Sequence, residues 1–205
     1  LTKIRNYYRM GDGIMDGYPI IQDQTSPNLA HIPTTNLLTY SEDFSQWVKN
    51  SGTTITTNSA ISPDGTQNAA LIVAAGTGSR AGLDVSIVSG TTYTLSVYLK
   101  NNGGNTSVNI GSHGTTQLET VTINNEWNRY TTTFVASSTT TSSIRIVSSG
   151  SNINLFAWGA QFEEQTQAET YAKTTGLPVT IDLFTENNYG TMTNMSASDI
   201  VEDTP

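Results

Sequence analysis

Three residues combine a side-chain type that binds sugars with a predicted position outside the core: Tyr98, Trp127 and Arg145. Aromatic rings stack on the apolar faces of sugar rings, and guanidinium groups hydrogen-bond to sugar hydroxyls. Tyr98 and Arg145 each alternate with apolar neighbours, so each is predicted on the outer face of a strand. Trp127 follows a turn and is predicted at a sheet edge. We predict all three as candidate carbohydrate-binding residues. The alternative is that Trp127 packs in the core while Tyr98 and Arg145 cover an outer sheet or a subunit contact.

A second set of residues offers oxygen ligands for a metal ion. Calcium takes six to eight oxygen ligands, many of them carboxylates. Glu42, Asp43 and Glu163 lie near the first and last strands of the regular part of the sequence. If those strands meet, the three carboxylates converge. The sequence therefore offers a candidate structural calcium site, and it indicates no other cofactor.

The residues do not form a catalytic pattern. The two histidines, His31 and His113, lie far apart in predicted loops, and the G-x-S-x-G sequence of a nucleophile elbow is absent. Glu163 and Glu164 are adjacent, so in a strand they point to opposite faces and do not flank one glycosidic bond. We predict that the protein is not an enzyme.

The elements that position these residues are strands. From Tyr93 to Lys100 apolar and polar residues alternate without a break, which is the pattern of a half-buried strand. About nine strand candidates lie between residues 36 and 162, separated by Gly, Asn and Pro-Asp-Gly turns. Helical periodicity is absent. The sequence predicts an all-β, two-sheet antiparallel β-sandwich with irregular N- and C-terminal arms.

Two sets of large side chains are predicted to fill the core of this sandwich. Phe44 and Trp47 are three residues apart, so one helical turn places them on the same face. The run from Ile153 to Ala160 is typical of a strand that is buried on both faces, and Trp158 is predicted to pack there.

Composition narrows the class of partner. Net charge is −8 with nine basic residues and no basic cluster, which argues against nucleic-acid binding. The chain has no cysteine and no apolar run of membrane-spanning length, so membrane insertion is not expected. It begins with Leu1, and we expect it to be a piece of a longer protein. We predict an N-terminal arm or partial second module (1–35), the β-sandwich (36–177) and a C-terminal strand and tail (178–205).

Several motifs occur together in the order found in one group of proteins. The chain resembles the carbohydrate-binding-module-like jelly rolls of bacteriophage tail and other virion proteins over residues 36–176. The resemblance rests on the runs NLLTYSEDF (36–44), SPDGT (62–66), YTLSVYLK (93–100), WNRY (127–130) and WGAQFEE (158–164).

The flanks carry a second resemblance. The runs YYRMGDG (7–13) and NYGTMTNM (188–195) are similar to pieces of the laminin-G or concanavalin-like modules of phage proteins. In those modules the two motifs lie close together, whereas here about 175 residues separate them. The jelly roll is therefore expected to be inserted into, or wrapped by, a partial second module.

The resemblance implies a non-catalytic protein of the virion surface, in a tail, a fibre or a capsid decoration. Its jelly roll would attach to a host cell-surface glycan or to the particle. It also implies a homo-oligomer that contacts other virion proteins. The alternatives are a purely structural, self-assembling subunit without sugar binding, and a secreted bacterial adhesin or accessory carbohydrate-binding module.

Overall fold

The structure is a computed structural model, and it describes residues 20–22, 34–50, 52–113, 117–150, 152–181 and 189–191 of the 205-residue chain. The chain divides into two compact units, one of residues 34–181 and one that combines 1–33 with 182–205. The predicted boundaries at 35/36 and 177/178 stay a prediction. His31 lies outside the described residues, as do both flanking motifs apart from Tyr189–Thr191.

The described residues contain fourteen strands and one short 3-10 helix. The strands are β1 (Ile20–Gln22), β2 (Thr34–Asn36), β3 (Val48–Lys49), β4 (Thr53–Ala60), β5 (Ala69–Ala74), β6 (Arg80–Ile87), β7 (Thr92–Asn101), β8 (Ser107–Ser112), β9 (Gln117–Thr122), β10 (Asn128–Val135), β11 (Thr140–Ser148), β12 (Ile153–Glu163), β13 (Val179–Ile181) and β14 (Tyr189–Thr191). In the first-named unit, ten of them form two five-stranded antiparallel sheets. Sheet I has the order β10-β7-β12-β5-β4, and sheet II has the order β3-β6-β11-β8-β9. This arrangement confirms the predicted all-β, two-sheet antiparallel sandwich and is consistent with a jelly roll.

Two further antiparallel pairs lie outside these sheets. β2 pairs with β13, so the two ends of the 34–181 unit are joined. In the other unit, β1 pairs with β14. No helix in the described part of the chain is long and apolar enough to cross a membrane.

The alternation of β7 fixes which of its faces is buried. Tyr93, Leu95, Val97 and Leu99 lie in the core between the sheets, as the sequence predicts, while Tyr98 is half-buried on the opposite side. Sheet II supplies the other half of the core with residues such as Ile144 of β11. We use "outer face" for the side of each sheet that is directed away from the other sheet.

A bulge in β12 changes which of its residues face the core. Its pairing with β7 shifts between Trp158 and Gln161, and Gly159 adopts φ 61° there. That left-handed conformation favours glycine. Before the bulge Ala157 faces the core, and after it Phe162 does. The strand is buried on both faces over much of its length, as predicted.

The segment between β2 and β3 closes one part of the core. Phe44 begins the 3-10 helix Phe44–Gln46, and Asp43 caps that helix by accepting a hydrogen bond from the Ser45 backbone N–H. The Phe44 and Trp47 ring centroids lie 4.7 Å apart, and both side chains are buried. The predicted core role of this pair is confirmed.

Asn36 connects three parts of the fold through its side chain. Its Nδ2 donates to the carbonyl oxygens of Ala160 (3.0 Å) and Ala172 (2.8 Å). Its Oδ1 accepts from the backbone N–H groups of Leu38 and Phe162, both at 3.1 Å. The side chain is fully buried, and its two donors and both lone pairs of its acceptor are used.

Candidate functional site

The predicted sugar-binding residues lie on different sides of the sandwich. Tyr98 projects from the outer face of sheet I, where the Arg129 guanidinium carbon lies 5.8 Å from its ring centroid. Arg145 belongs to β11, between the core residues Ile144 and Ile146, so it projects from the outer face of sheet II. These two side chains therefore do not line one common site.

Trp127 directly precedes β10, an edge strand of sheet I, and its side chain is half-buried rather than packed in the core, while its sugar-binding role stays a prediction. Its indole N–H donates to the carbonyl oxygen of Ile61 at 3.0 Å, and Ile61 follows the opposite edge strand, β4. Two strands separated by four spacings are about 19 Å apart in a flat sheet. This hydrogen bond therefore joins the segments next to the two edge strands of sheet I.

Trp158 is buried, but it lies on the outer face of sheet I rather than between the sheets, because it pairs with Tyr98 across β12 and β7. Its ring centroid is 5.4 Å from that of Tyr98 and 4.8 Å from that of Tyr171. The segment after β12 folds back to cover it. The predicted burial is confirmed, whereas the predicted core position is wrong: Trp158 follows Ala157, which faces the core, so alternation directs Trp158 to the outer face before the bulge begins.

The carboxylates predicted as calcium ligands have separate partners. Asp43 caps the 3-10 helix, and Glu42 accepts hydrogen bonds from other side chains described below. Glu163 is fully buried on the outer face of sheet I, where its Oε1 accepts from Gln161 Nε2 and from the Glu169 backbone N–H. Among the described residues, no three His, Asp or Glu side chains group closely enough to hold a metal ion. Calcium binding stays a prediction.

Burial raises the pKa of the Glu163 carboxyl above its ordinary value, although the hydrogen bonds from Gln161 and Glu169 oppose the shift. Its Oε2 has no hydrogen-bond partner in the described structure. Protonation at Oε2 would leave the buried Glu163 side chain uncharged. Its role is then structural: it packs beneath the 164–172 segment.

A polar cleft lies where the segment 40–45, the end of β4 and the segment 173–175 meet. Its volume is about 580 Å³. The residues that line it include Tyr40, Glu42, Asn58, Asn68, Lys173 and Thr174. Together they offer one aromatic ring, a carboxylate, two amides, an ammonium and two hydroxyls.

Glu42 is the centre of the hydrogen bonds in the cleft. Its Oε2 accepts from Lys173 Nζ at 2.6 Å and from Asn68 Nδ2 at 3.1 Å, and its Oε1 accepts from the Tyr171 hydroxyl at 3.1 Å. Burial is the largest cause that raises the pKa of the Tyr171 hydroxyl, and the neighbouring Glu42 carboxylate adds to it. Tyr171 therefore stays a donor to Glu42 at neutral pH. Tyr171 also packs on Trp158, so it connects Glu42 of the cleft to the covered aromatic residues on the outer face of sheet I.

Two oxygen atoms of the cleft residues are buried without a hydrogen-bond partner: Asn68 Oδ1 and Thr174 Oγ1. Thr174 is 2% exposed, and its backbone N–H donates to Ser41 Oγ at 2.8 Å. Unpaired buried oxygens are costly, and such atoms are commonly satisfied by a ligand or an ordered water. The cleft thus has polar groups that remain to be paired.

The wall formed by β4 has an unusual backbone. The pairing of β4 with β5 shifts between Thr56 and Ala60, and Asn58 in this bulge has φ 53°. Asparagine tolerates this left-handed conformation better than other residues that carry a side chain. The bulge places Asn58 in the wall of the cleft, and its carbonyl accepts from Gln67 Nε2 at 3.1 Å.

The loop 62–66 orients Asn68 through Asp64. Asp64 Oδ1 accepts from Ser62 Oγ (2.6 Å) and from the Thr66 backbone N–H (2.7 Å), and its Oδ2 accepts from Asn68 Nδ2 (3.2 Å). The hydrogen bond from Ser62, followed by that from the Thr66 backbone, lowers the pKa of Asp64 from 3.8 to about 2.

This lowered pKa predicts a pH dependence. Ionised Asp64 stabilises the folded state above its ordinary pKa of 3.8, and that stabilisation is lost as the pH falls from 3.8 to about 2. Asp64→Asn should therefore destabilise the protein at pH 6, and the difference from the native chain should shrink toward pH 2. Urea unfolding of both proteins at about pH 6, 4 and 2.5 measures this. A difference that stays constant over the series would contradict the assignment.

The sequence indicates only part of the cleft. Glu42 and Asp43 are predicted as metal ligands, and they do lie together in the cleft, while Glu163 lies elsewhere. Tyr40, Asn68, Lys173 and Thr174 are not predicted as site residues. The SPDGT turn is a usable signal, because an Asx-type turn at Asp64 fixes the residues that follow it.

Known proteins resemble this chain in fold more than in sequence. No protein-family model matches the sequence, and no curated protein matches it. Among solved structures, "BiXyn10A CBM1 APO" aligns with a TM-score of 0.46 and 15% identity over 62% of this chain and 99% of that chain. The CBM22-1 xylan-binding domain of Paenibacillus barcinonensis Xyn10C aligns with a TM-score of 0.45 and 11% identity. The alignment covers 68% of this chain and 98% of that chain. The enzymatically active domain of bacteriophage CBA120 tailspike protein 4 aligns with a TM-score of 0.41 and 15% identity. The alignment covers 62% of this chain and 21% of that chain. Likenesses at this level do not decide what this chain binds.

Proposed function

We propose that residues 34–181 form a non-catalytic glycan-binding domain and that the cleft beside Glu42 holds the sugar. The observation that carries this proposal is the pair of unpaired buried oxygens, Asn68 Oδ1 and Thr174 Oγ1, in a polar cleft of about 580 Å³. Binding sites for small molecules commonly span about 300–1,000 Å³, so the cleft has room for one or two sugar rings.

The chemistry of the cleft suits sugar hydroxyls, each of which donates one hydrogen bond and accepts others. Asn68 Oδ1 is an acceptor without a donor, and the Thr174 hydroxyl both donates and accepts. Lys173 is 56% exposed, so its ammonium group can reach a ligand while it stays near Glu42. The Tyr40 ring is half-buried in the same wall and offers an apolar surface to a sugar face.

Both carboxylates of the cleft already serve the structure. Glu42 accepts from three side chains, and Asp43 caps a helix. Neither is left free to act as a general acid beside a second, unengaged carboxylate. A binding role therefore fits the cleft better than hydrolysis.

The place of this domain in a larger assembly is part of the proposal and is supported by the sequence resemblance alone. On that basis the protein attaches a phage virion surface to a host glycan, as a homo-oligomer among other virion proteins. A glycan-free structural subunit is the rival role. We also propose, on the residue types alone, that Glu42 and Asp43 hold calcium. Glycan-binding assays with and without EDTA test this, because EDTA removes the ion.

The test is a glycan array followed by calorimetry on the best ligand. Thr174→Val removes the unpaired hydroxyl and keeps the side-chain shape, so the fold should be unharmed while affinity falls about tenfold, which corresponds to one ligand hydrogen bond. Thr131→Val is the matched control, because Thr131 is exposed on the outer face of sheet I away from the cleft. A ligand that binds Thr174→Val as tightly as the native protein would place the sugar elsewhere. An array without any hit would favour the structural role.

A further inference from the structure

The outer face of sheet II carries an ordered group of residues around Arg145. Strand register places Gly82 of β6 and Gly111 of β8 on either side of Arg145. The next rows of the same face place Ser143 between Asp84 and His113, and Val147 between Arg80 and Asn109. We call this group of nine residues the Arg145 face.

Two glycines flank Arg145, and both positions are too close to their neighbours for a side chain. A Cβ atom at Gly82 would lie 2.8 Å from Arg145 Cγ, so the stem of the arginine crosses the space that a side chain would fill. Gly111 has φ 142° and its Cβ would overlap the Gln117 carbonyl, so this position also requires glycine. The Arg145 stem therefore packs over Gly82, and the side chain is half-buried on the Arg145 face.

The arginines of the Arg145 face form no ion pairs with acidic side chains among the described residues. No ion pair involves Arg145 or Arg80 within the part of the chain that the structure describes, and Arg145 Nε is buried without a hydrogen-bond partner. Asp84 is the one acidic side chain in the nine-residue group, and it makes no salt bridge there. Burial lowers the pKa of Arg145, as does its neighbour Arg80, while Asp84 opposes this. Strand register thus places a second positive side chain, Arg80, in the row next to Arg145, and neither forms an ion pair within the described residues, which is the arrangement that an anion can occupy.

We propose that the Arg145 face is a second binding site, which takes the carboxylate of an acidic sugar. A guanidinium group matches a carboxylate in a planar, bidentate arrangement, and the Nη groups of the half-buried Arg145 are free of ion pairs within the part of the chain that the structure describes. Arg80 adds a second positive charge. The Ser143 hydroxyl and the exposed His113 ring can form hydrogen bonds with the sugar hydroxyls. That the anion is a sugar rests on the proposed glycan-binding function, whereas the carboxylate site itself does not.

The experiment is a titration of the ¹⁵N-labelled 205-residue protein with sodium glucuronate at low ionic strength, followed by the Arg145 Nε–Hε resonance in the native protein and by the backbone amides of residues 143–147 in the native protein and all variants. Glucose and inorganic sulfate are titrated in parallel. We expect a saturable shift with glucuronate alone, weakened about tenfold or more in Arg145→Gln, because a charged hydrogen bond is lost. Arg145→Lys should retain the charge but lose most of the affinity. Lys100→Gln, on the outer face of sheet I, is the control and should change nothing.

Three results would overturn this proposal: no saturable shift with glucuronate, an equal response to glucose, or sulfate binding as tight as glucuronate binding. Glucuronate binding to Arg145→Gln that is as tight as to the native protein would do the same. The cleft is judged separately through Thr174→Val. If glucuronate binds at Arg145 while no neutral glycan binds the cleft, the carboxylate site stands and the proposed cleft fails.

Discussion

Replacing Asn36 with alanine is expected to lower the free energy of unfolding by about 4 kcal/mol, because it removes four buried hydrogen bonds and leaves their backbone partners unpaired. The carbonyls of Ala160 and Ala172 lose their donor, and the N–H groups of Leu38 and Phe162 lose their acceptor. These partners come from the bulged half of β12, the segment after β2 and the segment that covers the outer face of sheet I. One substitution should therefore loosen three elements at once.

Urea unfolding followed by tryptophan fluorescence measures this effect. Asn36→Asp is a second informative variant, because it keeps the acceptor oxygen and turns the two donors into an oxygen that faces two carbonyl groups. Asn125→Ala is the matched control: Asn125 is exposed, and its replacement should change stability by less than about 0.5 kcal/mol. If Asn36→Ala proved as mild as Asn125→Ala, the side chain could not hold these elements together.

Phe162→Ala is expected to cost about 3–5 kcal/mol, the usual range for a large aromatic side chain removed from a core. The Phe162 ring is fully buried, and its centroid lies 5.0 Å from that of Tyr93 and 6.0 Å from that of Phe134. These three rings come from the three adjacent strands β12, β7 and β10 of sheet I. The alanine variant leaves a cavity where they meet.

Phe156 of the same strand provides the control. It lies before the bulge on the outer face, where it is half-buried. Phe156→Ala should cost no more than about 1.5 kcal/mol, because much of its surface is already in water. Equal losses in the two variants would mean that the bulge at Gly159 does not exchange the faces of β12 as described.

The fold is predictable because strand alternation is a local signal. In β7 every second residue from Tyr93 to Leu99 is apolar, and the structure buries those residues. The bulge in β12 is not predictable from alternation, because the run around Trp158 is apolar on both sides and one inserted residue reverses its faces. Counting back by alternation from Phe162 places Trp158 between the sheets, whereas it lies on the outer face in contact with Tyr171.

The candidate site is less predictable because it depends on long-range contacts. Glu42 and Lys173 are 131 positions apart along the chain, and only the return of the segment after β12 brings their side chains to 2.6 Å. Tyr98 and Arg145 both alternate with core residues, but the sequence does not say that their strands belong to different sheets. A pattern of period two reports the face of a strand and not the sheet to which that strand belongs.

The most direct test of the central claim is to map the amide shifts of the ¹⁵N-labelled protein during titration with the best glycan from the array. A sugar in the cleft predicts saturable shifts concentrated at Asn58, Asn68, Lys173 and Thr174, with affinity lowered in Thr174→Val. Shifts concentrated instead at Tyr98, Lys100 and Phe156 on the open part of sheet I would contradict the cleft as the binding site. The absence of a saturable shift with any array glycan would contradict the glycan-binding function itself.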